Sequence, residues 1–409
     1  MKRVVVTGLG AISAQGDNVL DIWTKVQNGI SGISTIQNFE ILNSITVKFG
    51  GEIKKSSLLY SHFSASDFRK NDLSILYALY AAEEAIKDSQ LHNIQNKDDI
   101  GVFVGSGIGG LGFLEKNLIS LQEKGKTSPF LLPGMLINLI GGQIAMKYKY
   151  TGVINSFSTA CATGTNAIGE AYKYIQSGTS KIIIAGGSEG ALTNIGISGF
   201  ACMNALSERN GNPKTASRPW DKDRDGFVIS DGAALLVLEE YEHAKARGAK
   251  IYAEITGYGI SADAHHITSP DPNGRGAGRA MKMALSTAKQ KLPNYINAHG
   301  TSTIVGDEVE LRAIYNTFGD EAKKINISST KSTTGHLLGA TGALEVIFSV
   351  LSIQEGVIPP TVNLDNPSEY AKDWNLTANE KVKKEVTCVL SNSFGFGGYN
   401  ACLIIEKIQ

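Results

Sequence analysis

The chain has 409 residues, 42% of them hydrophobic and 19% charged, with 39 basic side chains against 39 acidic ones and a formal net charge of zero. This length exceeds one ordinary core and implies two domains or one large layered α/β body. The balanced charge argues against nucleic-acid or membrane-surface partners, and four cysteines without metal-ligand spacing argue against a disulfide framework and for a reducing, cytoplasmic setting.

In chain order, Met1-Lys2-Arg3 and the VVVTGLGAISAQ that follows imitate a secretory leader. Thr7, Gly8 and Gly10 interrupt its short apolar stretch, however, and Val4 to Thr7 reads better as a buried strand entering a turn. A helix is predicted over Leu73 to Ser89, a strand over Ile100 to Val104, a helix over Ala167 to Ser177, and strands over Lys181 to Ala185 and Leu235 to Leu238. A second series starts at Ile251 with IYAEITGYGI, YINAHGT and INISSTK, and ends with CVLSNSFGFGG leading into ACLIIEK. Apolar β-branched runs alternating with helical segments predict an α/β fold. The polar-to-basic stretch from Asp221 to Lys250 is the best boundary, dividing the chain into 1–250 and 251–409. SFSTACATG ahead of a helix ending in QSG loosely parallels ISSTKSTTG ahead of one ending in QEG, which raises the possibility of duplication. No stretch approaches the roughly 20 apolar residues of a transmembrane helix.

The strongest local signal is Cys161 in Ser158-Thr159-Ala160-Cys161-Ala162-Thr163-Gly164, where a strand-like run ends and a helical pattern begins. Free amides of a first helical turn favour a thiolate there. A helix terminus contributes about 0.3–1 kcal/mol, less than the roughly 1.36 kcal/mol of one pKa unit, so a partner is needed and histidine is the obvious one. His299 in NAHGTST and His336 in STKSTTGH both stand at strand-to-turn junctions rich in small residues. Cys202, Cys388 and Cys402 read as buried structural cysteines, His62, His92 and His243 as surface residues, and His265-His266 has no companion ligands. Gly105-Ser106-Gly107-Ile108-Gly109-Gly110 fits a dinucleotide loop poorly. The glycines of SNSFGFGG allow a backbone N–H near Phe396 to point at a reacting oxygen.

Together, TACATG with Cys161, NAHGTST with His299, STKSTTGH with Lys331 and His336, and SNSFGFGG with Phe396 resemble the β-ketoacyl-acyl-carrier-protein synthases, most closely the type II elongating kind. MKRVVVTGLGAIS, SRPWDKDRDGF and PPTVNLDNP match in family order, so the resemblance covers nearly the whole chain. It implies a thiolase-like five-layered αβαβα fold of two duplicated halves and a homodimer acting with acyl carrier protein. It implies Cys161 as the acylated nucleophile, His299 and His336 as the decarboxylating pair, Lys331 tuning His336, and Cys161 and Phe396 amides as the oxyanion hole. Thr301 and Thr303 correspond to hydroxyls that bond the phosphopantetheine arm. Ile108 and Phe200 match acyl-tunnel positions, Phe394 joins the substrate-facing group, and Arg69, Lys70 and Lys126 match carrier contacts. No cofactor is required, but in some relatives Glu345 with the main chain at Asn297, Ala298, Ser391 and Asn392 holds a monovalent cation. Departures are Ala162-Thr163 after the nucleophile and Asn204 at a basic carrier-contact position. Rival readings are a thiolase acting on coenzyme A esters, whose second catalytic cysteine is replaced here by Phe396, and a non-catalytic chain-length partner, against which Cys161 argues.

Overall fold

The computed structural model describes residues 1–409. Residues 1–250 supply five principal strands, β1 (Val4–Ser13), β2 (Ile100–Gly105), β3 (Ile154–Asn155), β4 (Ile182–Glu189) and β5 (Gly232–Glu240). Residues 251–409 supply β6 (Ala253–Ala262), β7 (Tyr295–Asn297), β8 (Asn326–Ser328), β9 (Cys388–Gly395) and β10 (Tyr399–Glu406). Six helices frame them, α1 (Leu73–Asp88), α2 (Asn138–Tyr148), α3 (Thr163–Gln176), α4 (Arg275–Thr287), α5 (Ile304–Phe318) and α6 (Thr341–Glu355).

Hydrogen bonding places the strands in the order β8-β7-β9-β10-β6-β1-β5-β4-β2-β3. Numbered within its own half, each set runs third, second, fourth, fifth, first. The first three of these are parallel and the fifth is antiparallel to both neighbours, in both halves. Within the sheet the halves join only where Val4–Val6 of β1 pairs with Ala253–Ile255 of β6. A repeated topology thus underlies the two similar small-residue turns.

Three cores make five layers. On β4, Ile182 and Ile184 pack outward against Ile75, Ala78 and Ala82 of α1, while Ile183 and Ala185 pack inward. Both faces are buried, which is why this strand reads as one continuous apolar run. On the other side Met281 of α4 and Leu311 of α5 cover Ile296, Leu390 and Ile404. Between the halves lie α3 and α6, whose Ile168, Ile175, Leu344 and Ile347 fill the central core. Helix α6 is apolar on every side because protein surrounds it. With the turn before it, it is long and apolar enough to cross a membrane by composition, but it is spent inside the fold.

Three expectations change. β1 does not turn at Gly8–Gly10 but runs on to Ser13. The glycines are needed because α1 lies so close that a Cβ on Gly8 or Gly10 would stand 2.5 or 2.1 Å from the carbonyl oxygens of Ala85 and Ala81. Cys202 is exposed, whereas Cys388 and Cys402 are buried as expected. His243 is half-buried, with Nδ1 2.5 Å from Glu239 Oε1, so it is no free surface residue.

Candidate active site

Cys161 lies on the turn between β3 and α3, two residues before the first helical residue. Ala160 has φ +49°, a left-handed kink immediately before the cysteine. Hydrogen bonds fix that turn: Ala162 and Thr163 donate their N–H to the carbonyls of Thr159 and Ala160, and Thr163 Oγ1 accepts from Thr159 N–H at 2.9 Å. Two of the amides expected to be free for a thiolate, those of Ala162 and Thr163, are therefore used by the turn itself. Burial pushes the Cys161 thiol up to about 12, outweighing Lys331 and the backbone N–H groups of Phe396 and Cys161 that face the sulfur. Burial thus favours the thiol at rest and opposes the small pull toward thiolate that a helix terminus exerts.

The approach of the C-terminal turn to this sulfur depends on one small residue. A Cβ on Gly395 would come within 2.7 Å of Thr159 O and 3.2 Å of Cys161 N. Alongside, Thr165 of α3 and Ser393 of β9 share a hydroxyl hydrogen bond of 2.7 Å.

His299 follows β7 and His336 precedes α6. Their rings meet edge to face with centroids 5.4 Å apart. Cys161 Sγ and one ring nitrogen from each histidine all lie within 4.8 Å of one another, so three segments distant in sequence converge. His336 Nδ1 bonds Thr341 Oγ1 at 2.8 Å. His336 Nε2 and His299 Nδ1 are buried without a partner. Burial, followed by the charge of Lys331, holds both imidazoles well below their usual 6.5, so they are neutral near neutral pH. The Lys331 ammonium is 1% exposed and lies 2.5 Å from Glu345 Oε1.

Sequence reasoning missed the buried acids that shape these turns. Glu310 on α5 accepts the N–H groups of His299 and Gly300 at 2.8 and 2.7 Å, and Asn392 Nδ2 at 3.1 Å. Glu189, at the end of β4, accepts Ser106 Oγ and the amides of Gly107, Ile108 and Gly339. With those amides committed, the Gly105–Gly110 loop has none of them left to cradle a phosphate. Asp307 accepts the amides of Trp220 and Ser302. The available signal was an acid inside an otherwise apolar or small-residue stretch, as in IIIAGGSEG.

A cavity of about 420 Å³ opens over the sulfur and imidazoles. It is lined by Phe200, Thr301, Thr303, Phe394 and Phe396 among others, and Thr301 and Thr303 hydroxyls are 3.0 Å apart within it. Phe394 stands edge-on to His299 at 5.7 Å and Phe227, also unanticipated, to His336 at 5.4 Å. Ile108 departs from expectation: it is 41% exposed and does not line this cavity within the single chain. Arg69, Lys70 and Lys126 are exposed outside it. Asn297 Oδ1, Glu345 Oε2, Ser391 Oγ and Asn392 Oδ1 are all buried without a hydrogen-bond partner, while Ala298 N–H donates to Ser328 O.

A half-buried cysteine under two neutral imidazoles, held between duplicated five-strand halves, defines a condensing enzyme of the thiolase-like class. Comparison with known proteins narrows this. The chain matches the beta-ketoacyl synthase N-terminal domain over residues 1–244 and the C-terminal domain over residues 252–365, and it belongs to the β-ketoacyl synthase family. It is 46% identical over 412 aligned positions to 3-oxoacyl-[acyl-carrier-protein] synthase 2 of Coxiella burnetii, spanning 100% of this chain and 99% of that one. It is 45% identical, with the same coverage, to the proteins of that name from Vibrio harveyi and Staphylococcus aureus. Among solved structures, a beta-ketoacyl synthase from Burkholderia phymatum superposes with a TM-score of 0.91 at 32% identity, covering 100% of both chains. A ketosynthase bound to its type II PKS acyl-carrier protein gives the same score, identity and coverage.

Proposed function

We propose that the chain catalyses decarboxylative Claisen condensation of malonyl-acyl-carrier-protein with an acyl group held on Cys161, giving 3-oxoacyl-acyl-carrier-protein and carbon dioxide in fatty acid elongation. The observation that carries this reading is the convergence of one sulfur and two imidazole nitrogens within 4.8 Å. In the first half-reaction the Cys161 sulfur attacks the acyl-carrier thioester. Its proton passes to an unpartnered imidazole nitrogen and on to the departing carrier thiolate, which restores a neutral ring. The backbone N–H groups of Cys161 and Phe396 face the oxyanion that forms, an arrangement whose loss of one donor typically costs about 2.7–4 kcal/mol.

In the second half-reaction the carboxylate–carbon bond of malonyl breaks and carbon dioxide leaves. The electron pair becomes an enolate whose oxygen accepts N–H bonds from His299 and His336. Neutral rings suit this role because they donate without a charge that would need solvation in a buried cavity. The carbanion then attacks the thioester, a carbon–carbon bond forms, and the sulfur leaves as a thiolate that takes up one proton from solvent to restore the resting thiol. Burial first, and the charge of Lys331 second, keep both rings neutral, and Glu345 pairs that ammonium. Thr301 and Thr303 offer hydroxyls to the pantetheine arm, and Phe200 and Phe394 offer apolar walls to the acyl chain.

Several surfaces fit the associated partners. Arg69, Lys70 and Lys126 are exposed, with Lys70 Nζ 5.5 Å from the Phe130 ring, and they suit an acidic carrier protein. The edge strand β3 and its surroundings expose Ile154 (50%) and Met146 (65%), which suits pairing with a second copy in a homodimer. A sodium or potassium ion held by Glu345 and the main chain at Asn297, Ala298, Ser391 and Asn392 would supply structural charge compensation beside the Lys331–Glu345 pair, and the unpartnered Glu345 Oε2 and Asn297 Oδ1 support it. A cytoplasmic location accords with the free cysteines.

A thiolase on coenzyme A esters is disfavoured because Cys388 and Cys402 are buried in strands and Phe396 occupies the C-terminal turn. Elongation assays with graded acyl-carrier substrates and the matching coenzyme A esters decide the matter. Turnover of the carrier substrates is expected, and turnover of the coenzyme A esters alone would overturn the assignment.

A further inference from the structure

We propose that Cys161, His299 and His336 also form a chelating site for a thiophilic divalent cation, zinc or cadmium, which closes the active centre reversibly. The three donor atoms lie within 4.8 Å of one another. His336 is 2% exposed with Nε2 unpartnered, and His299 is 9% exposed with Nδ1 unpartnered. Zinc–sulfur and zinc–nitrogen bonds of about 2.3 and 2.0–2.1 Å set tetrahedral donors roughly 3.5 Å apart, so the groups need to close by about 1 Å or a little more. Torsions of Cys161 and the two rings can supply that, and the cavity leaves a fourth position open to water.

The donor set selects the metal. One sulfur and two imidazoles suit zinc, cadmium or cobalt, whereas magnesium and calcium require oxygen. The ion must displace the thiol proton that burial retains, which its double charge can do. Lys331 opposes a cation here, but Glu345 Oε1 sits 2.5 Å from its ammonium, and the Glu189 carboxylate also bears on Cys161. A bound ion would occupy the sulfur and both rings at once. Acyl transfer and decarboxylation would then stop together, while an acylated sulfur, no longer a thiolate, would be protected.

The test uses the full-length enzyme titrated with cadmium or cobalt chloride and read by sulfur-to-metal absorption, independent of activity. Because Cys202 is exposed, Cys202→Ser serves as the background. Expected is one metal per chain, a charge-transfer band lost in Cys161→Ser, and affinity weakened about tenfold or more in His336→Ala. Zinc should also slow iodoacetamide alkylation of Cys161, with full recovery on adding EDTA. Alkylating the folded parent beforehand removes the site without substitution and should abolish the band. A band that survives either loss of the thiol, or an affinity unchanged in His336→Ala, would overturn the proposal and leave the condensation reading untouched.

Discussion

The two halves of the molecule place their working residues at equivalent points of one repeated topology, yet use them for different chemistry. In the N-terminal half the turn between the third strand and the central helix carries Cys161; in the C-terminal half the corresponding turn, from β8 to α6, carries Lys331 and His336. The turn after the second strand holds Ser106 to Ile108 in one half and His299 to Thr301 in the other. Both halves anchor that turn with a buried carboxylate, Glu189 in the first and Glu310 in the second. Duplication therefore supplied the geometry and side-chain divergence supplied the roles. Neither half alone holds a nucleophile together with its imidazoles.

The sharpest way to break this comparison is Cys161→Ala, which removes what only the first half provides. Elongation, measured as 3-oxoacyl product, should fall by more than about a thousandfold, and full activity would refute the division of labour. On the second half, His336→Ala should lower malonyl decarboxylation by about a hundredfold or more while acyl transfer to Cys161 stays measurable. Carbon dioxide release at the parental rate would show that the ring is not needed.

Lys331→Ala tests the buried ammonium of the second half, since the first half buries no lysine. Stranding Glu345 at 1% exposure should destabilise the fold by about 3–5 kcal/mol in urea denaturation. Adding Glu345→Gln should restore much of the loss, and an equal loss in the double variant would mean that the pair is not coupled.

The smallest expected effect concerns pH. His299 and His336 are held below their unfolded value by burial, so protons bind the unfolded chain first as pH falls. Their stability contribution is whole above about 6.5 and drains below it, by roughly 2 kcal/mol per pH unit for the two together. Glu345, raised to about 7 by burial, acts in the opposite sense: its contribution is full below the ordinary carboxylate range and is lost as pH rises through about 7. Urea denaturation from pH 5 to 8 of a His299→Asn/His336→Asn variant should show a flattened acid limb, and an unchanged limb would refute the buried neutral rings.

The sequence by itself determined the alternating strands and helices, because β-branched runs and helical spacing are local properties. It also singled out Cys161 as a nucleophile among small residues, whereas the pairing of His299 with His336 and the parts given to Lys331 and Phe396 came from four motifs standing in the order of a known family. Glu189, Glu310 and Phe227 stayed hidden because their roles rest on partners 82, 11 and 109 positions away, a relation that exists only once the chain is folded. Only the tertiary structure decided the direction in which the sulfur is pushed: the turn uses the amides of Ala162 and Thr163, and the layers around the cysteine remove water and raise the thiol. Desolvation depends on everything that packs against a group, and no stretch of neighbouring residues records it.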